Sequence, residues 1–83
     1  MYFNARSICN KIHDLNAYTK DHSPDIILIC ETWMTDKIPS LLLGLNQFTI
    51  YRRDRNPHAG GILIAIRNNV KSKIKYISQK MNY

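Results

Sequence analysis

The segment "DIILICETWMTDKIPS", residues 25–40, decides how this chain is read. Ile26 to Cys30 is apolar at every position, and its length suits a strand better than a helix. Such a strand is expected to be buried on both faces, in a sheet covered by helices. Glu31 follows it directly, with Trp33 two positions on. A carboxylate at the end of a rigid strand has two readings. It is either the polar edge of a buried element that simply meets water, or a group placed there for chemistry.

Working outward from this strand, the N-terminal side has a different period. Tyr2 and Phe3 are aromatic strand formers and suggest a short strand ending near Asn4. Ile8, Ile12, Leu15 and Tyr18 then recur at spacings of four, three and three, which lays one apolar stripe along a helix near residues 8–21. Ser7 is expected to cap that helix, and Pro24 to stop it by disfavouring the α conformation at Ser23. Strand, helix and strand within thirty residues form a βαβ-like unit. On the C-terminal side, Thr32 to Gly44 reads as a long loop. Strands near 48–52 and 61–67 are expected to pair as an antiparallel hairpin around the Asn-Pro and Gly-Gly signals of residues 56–61. Gly60 and Gly61 suit a tight turn and a close backbone approach, whereas a phosphate loop needs a different motif. Asn68-Asn69 suggests a further turn, and the alternation of Lys73 to Ile77 a half-exposed strand.

Composition narrows the class. The chain has 83 residues, enough for one small domain. A domain of that size buries only about 60–65% of its unfolded surface. Twelve Lys and Arg against six Asp and Glu give a formal charge of +6, which favours polyanionic partners such as nucleic acid but does not by itself identify one. Cys9 and Cys30 offer neither a disulfide framework nor a metal-ligand spacing, and read as small buried or half-buried hydrophobes in a reducing compartment. His13, on the helix near Asp14, is expected to be exposed, and His22 and His58 lie in expected loops with no ligand partner at a usable spacing. No apolar run approaches the roughly 20 residues that span a bilayer. The expectation is a soluble, intracellular protein without a membrane partner. Two strands apolar on both faces, Ile26–Cys30 and Ile62–Ile66, demand cover on each side, yet one helix is on offer. This implies a piece of a larger domain.

The stretches "FNARSICNKIHDLNAYTKDHSPDIILICETWMTD" and "FTIYRRDRNPHAGGILIAIRNNV" together resemble the N-terminal part of the endonuclease domain of LINE-type (non-LTR) retrotransposons. That domain belongs to the endonuclease/exonuclease/phosphatase superfamily, with apurinic/apyrimidinic endonucleases and DNase I. The order and spacing of the motifs carry the resemblance, which covers residues 2–77. It implies an α/β fold: the N-terminal fragment of a four-layer, DNase I-like α/β sandwich, built as strand-helix-strand followed by a β-hairpin. Residues 1–83 would then be a truncated domain lacking its C-terminal half.

The resemblance places Asn4 and Glu31 side by side in an active site, both as catalytic residues and as metal ligands. Glu31 would be the carboxylate on Mg²⁺, a hard ion usually held by one or two carboxylates plus water and phosphate. Asn4 offers a donor and an acceptor without charge, although asparagine equally serves as a turn residue. Arg6, Arg52, Arg53 and Arg55 are the candidate DNA contacts, and the three loop arginines read equally well as solvated charges with Asp54 offsetting one. Trp33 is expected to pack beside the site. The implied parent activity is Mg²⁺-dependent hydrolysis of a DNA phosphodiester, nicking target DNA to prime reverse transcription in the nucleus, beside the rest of the element's polyprotein. The family's downstream tyrosine, Asp-x-Asn pair, further aspartate and Asp-His pair do not occur here, so the fragment is expected to be inactive alone. The alternatives are a small basic nucleic-acid-binding module and a relic without function.

Overall fold

The computed structural model describes residues 1–70. Strands β1 (Tyr2–Asn4), β2 (Ile26–Cys30), β3 (Phe48–Arg53) and β4 (Ile62–Arg67) form one sheet, and helix α1 (Ile12–His22) joins β1 to β2. The strand order is β1-β2-β4-β3. β1 lies parallel to β2, while β4 runs antiparallel to both β2 and β3. The βαβ-like unit and the hairpin are therefore both present, joined by the pairing of β2 with β4. The strand expected at residues 73–77 lies outside the described residues. Asn68 and Asn69 begin a helical turn where a simple turn was expected.

One face of the sheet carries the core. Ile27, Ile29, Leu63 and Ala65 are buried there with Ile8, Leu15, Met34 and Leu43, and Phe3, Ile12 and Ile50 pack against the cluster. The helix stripe is legible in this set, although Tyr18 stands out of it, half exposed and stacked on His22 at 3.9 Å between ring centroids. A second 3-10 turn, Ser40–Leu43, interrupts the long loop and buries Leu43 while Leu41 and Leu42 stay exposed.

The opposite face is uncovered. Register places Tyr2, Leu28, Ile64 and Tyr51 in one row across all four strands. Tyr2, Ile64 and Tyr51 of that row are exposed, as are Ile26 and Ile62 beside it. The expectation of burial on both faces of β2 and β4 is thus corrected: only alternate residues are buried. The apolar composition of the outer positions has no packing partner among the described residues.

Two local expectations also need correction. The segment from Ser7 does not begin as an α-helix capped by the serine side chain. Ser7 has φ 82°, makes no side-chain cap, and leads into a 3-10 turn at Ile8–Asn10 before α1 starts. The physical reason is tertiary: the Ser7 and Ile8 amides donate to the carbonyls of Glu31 and Thr32 at 3.0 Å each. These bonds set the backbone of residues 7 and 8 by the chain leaving β2 and not by a helical cap. Cys9, in this turn, is exposed instead of buried, and Cys30 is half-buried. The far end of the helix agrees with expectation, stopping at His22 with Ser23 left-handed before Pro24.

The unequal faces make a direct prediction for urea unfolding. Leu63→Ala, on the core face, should cost about 2–5 kcal/mol. Ile62→Thr, its neighbour on the uncovered face, should cost no more than about 0.5 kcal/mol. Equal losses at the two positions would mean that the outer face is covered in solution.

Candidate functional site

The site lies where β1 and β2 end side by side and β4 begins. Asn4 pairs with Cys30 across the parallel ladder, and the Ala5 amide donates to the Cys30 carbonyl at 2.8 Å. Glu31 is the next residue. The chain here leaves the extended conformation abruptly. Among the described residues, five that are not glycine have positive φ, and four of them are at this place: Arg6, Ser7, Glu31 (57°) and Trp33 (54°). Left-handed backbone is costly for residues with a Cβ and persists where surrounding contacts over-determine it, often at functional sites.

Those contacts come from both sides. Ser7 and Ile8 bind the Glu31 and Thr32 carbonyls, as described above. From the other side the Trp33 amide donates to the Gly60 carbonyl at 3.1 Å, and the Thr32 amide to Gly61 at 3.4 Å. Gly61 has φ 93°, and a Cβ there would run into the Thr32 hydroxyl. This is the close approach expected of the Gly-Gly pair. The Thr32 hydroxyl is itself buried and has no hydrogen-bond partner among the described residues.

The Glu31 carboxylate is held in the same cradle. Its Oε2 accepts from Trp33 Nε1 at 2.8 Å and from the Gly60 amide at 3.0 Å, while Oε1 accepts no hydrogen bond from the described residues. The indole hydrogen bond, then the Gly60 amide, hold its carboxyl pKa below the ordinary value, opposed by partial desolvation and helped by the charges of Arg55 and Arg6. Trp33 thus does more than pack. The signal for this hydrogen bond is an indole N–H two residues beyond the carboxylate, and in the structure it forms with positive φ at both residues.

The other expected site residues fall into three groups. Asn4 is exposed, stands at the strand end next to Glu31, and makes no side-chain hydrogen bond among the described residues. Arg6 and Arg55 act electrostatically on Glu31, and both are exposed. The remaining pair is split by strand alternation, which sends neighbouring side chains to opposite faces. Arg53 points to the uncovered face, in one row with Asn4, Cys30 and Ile62. Arg52 points inward, where its guanidinium donates to the Thr35 carbonyl at 2.7 Å and to Ser40 Oγ at 3.1 Å. Its ion pair with Asp54, at 2.8 Å, completes the set, so Asp54 does offset one loop arginine. The Arg52 fork is occupied in bracing the 35–40 loop against β3, which leaves Arg6, Arg53 and Arg55 as the exposed cations around the site.

The sequence matches the endonuclease/exonuclease/phosphatase family over residues 1–83. The chain belongs to that family. An AP endonuclease from Archaeoglobus fulgidus superposes on 78% of this chain with a TM-score of 0.68 at 23% sequence identity. The match covers 25% of that protein's chain, so the present chain spans about a quarter of the length of this structural relative. The likeness fixes the fold as α/β and DNase I-like, in agreement with the sequence. No curated protein matches the chain. No described helix is long and apolar enough to cross a membrane.

Nucleases of this family generally use divalent metal ions. Among the described residues, no three His, Cys, Asp or Glu side chains come together as a ready-made metal centre. The chemistry of the donors nevertheless suits a hard cation: Glu31 is a carboxylate with one oxygen free of hydrogen bonds from the described residues, and Asn4, an uncharged amide, ends the neighbouring strand.

The lowered carboxyl pKa sets the sign of a pH effect. The folded state binds its proton less readily than the unfolded chain, so stability is complete above the ordinary carboxylate range and falls as pH drops through the lowered folded value. Urea midpoints measured from about pH 6 down to about pH 3 should decline in the parent and decline less in Glu31→Gln. Parallel curves for the two proteins would show that Glu31 is not held as described.

Proposed function

We propose that this chain is the N-terminal part of a metal-dependent DNA endonuclease domain of a LINE-type retrotransposon, and that it supplies one side of the active site. The observation that carries the reading is the Glu31 carboxylate: ionised, clamped through one oxygen, and set on a strained strand end beside Asn4. In this proposal Glu31 binds a divalent ion, taken to be Mg²⁺, with Asn4 orienting the carboxylate or the scissile phosphate. A bound ion supplies polarisation of the phosphoryl oxygen and offsets charge on the leaving oxygen. Arg6, Arg53 and Arg55 hold the DNA backbone, since arginine pairs with phosphate in a bidentate fork. The nick would prime reverse transcription in the nucleus, within the element's polyprotein.

The uncovered sheet face supports the further proposal that these residues form part of a larger layered domain. A general base for water is not among the residues at the site, and general base catalysis is typically worth 10²–10⁴-fold. The chain alone is therefore proposed to be inactive. The exposed arginines and the +6 charge favour a second reading, a non-catalytic nucleic-acid-binding module. Such a module would bind DNA with log K falling steeply against log salt.

The deciding experiment joins these residues to the C-terminal portion of a related element and measures Mg²⁺-dependent plasmid nicking. The joined protein should nick, the 83-residue chain should not, and Glu31→Gln in the joined protein should abolish nicking by at least about 10²-fold, because it removes the anionic ligand at nearly constant shape. Nicking by Glu31→Gln at the parental rate would remove Glu31 from the chemistry.

A further inference from the structure

Both donors at the Glu31 carboxylate converge on the same oxygen. Trp33 Nε1 and the Gly60 amide reach Oε2, at 2.8 and 3.0 Å, and leave Oε1 without a hydrogen bond from the described residues. Carboxylates in metal sites bind through one oxygen or through two, and hydrogen bonds to the remaining oxygen orient the ligand and tune its basicity. Oε2 is here committed before any ion arrives. We infer that Trp33 is a positioning residue of this site, whose indole N–H, with the Gly60 amide, reserves Oε2 and presents Oε1 as the single oxygen offered to a divalent cation. The inference rests on the proposal that Glu31 binds metal.

Several features make the arrangement specific. The indole reaches the carboxylate where Glu31 and Trp33 both have positive φ, with buried Thr32 between them. Gly60 fixes Trp33 as well as Glu31, its carbonyl accepting from the Trp33 amide while its own amide donates to the carboxylate. Four hydrogen-bonding groups on two short segments thus define one carboxylate orientation. Packing alone would require an indole shape. Positioning requires its N–H.

That distinction can be tested on the 83-residue chain, which contains one tryptophan and is within reach of chemical synthesis. Mn²⁺ is the probe, and water-proton relaxation reads its binding independently of tryptophan emission. The variants are Trp33→Phe, Glu31→Gln, and replacement of Trp33 by β-(3-benzothienyl)alanine, which keeps the bicyclic shape but has sulfur in place of the N–H. The parent should bind one Mn²⁺, with Mg²⁺ competing, and Mn²⁺ should quench the Trp33 emission to the same saturation point. Loss of the indole donor should weaken binding about 10–100-fold in both Trp33 variants, the usual effect of removing a partner that orients a metal ligand. The benzothienyl chain should keep the parental circular dichroism, which separates a positioning effect from misfolding. If it binds Mn²⁺ as tightly as the parent, Trp33 is a packing residue and the inference is overturned while the metal role of Glu31 stands. If the parent does not bind, or Glu31→Gln binds equally well, the metal reading falls and the inference falls with it.

Discussion

The structure hangs on the backbone where β2 ends. Glu31, Thr32 and Trp33 are gripped from one side by the amides of Ser7 and Ile8 and from the other by Gly60 and Gly61. These bonds continue, beyond the last regular strand pair, the parallel ladder with β1 and the antiparallel ladder with β4. They let two parallel strands and one antiparallel strand meet at one point, and they hold two left-handed residues in place. Without that grip the carboxylate would be one more solvated side chain at a strand end.

The same grip explains why strain is concentrated here and the rest of the sheet is regular. Left-handed residues carry a cost of about 1–2 kcal/mol each, and an isolated one would relax. Here relaxation at Glu31 would break hydrogen bonds to β1's exit and β4's entrance together. Gly61 is the position where the arrangement admits no side chain, because the Thr32 hydroxyl occupies the space. Glycine at position 61 is thus a packing requirement of residue 32 as much as a turn requirement of its own segment.

Much of this was legible in the sequence, and the gaps have physical causes. The run Ile26–Cys30, the hairpin and the end of the helix at Pro24 are local signals, and each appears where it was expected. The beginning of the helix was misread because Ser7 looks like a cap when only its neighbours in sequence are considered, while its amide is claimed by a residue twenty-four positions away. The outer face of β2 and β4 was misread because continuous apolarity states what a strand is suited to, and not what covers it. Arg52, Arg53 and Arg55 were indistinguishable as charges, yet strand parity separates the first from the second. Asn4 and Glu31 are candidates through family resemblance. The hydrogen bond from Trp33 to Glu31 is not announced by residue type, since the backbone at both residues departs from the extended conformation.

The paired segments also differ in their separation along the chain. β3 and β4 are neighbours in sequence, and a hairpin of that kind closes in about 1–10 μs. Glu31 and Gly60 are 29 residues apart, and the amino terminus reaches the Ile26 carbonyl across 25. Such contacts must bear the entropy of closing long loops before they are rewarded. The hairpin is the most local of these pairings, whereas the cradle around Glu31 joins segments 29 residues apart. The ordered carboxylate therefore reports long-range structure, and a chain with its strands and arginines but without that closure would carry the same local elements and no cradle.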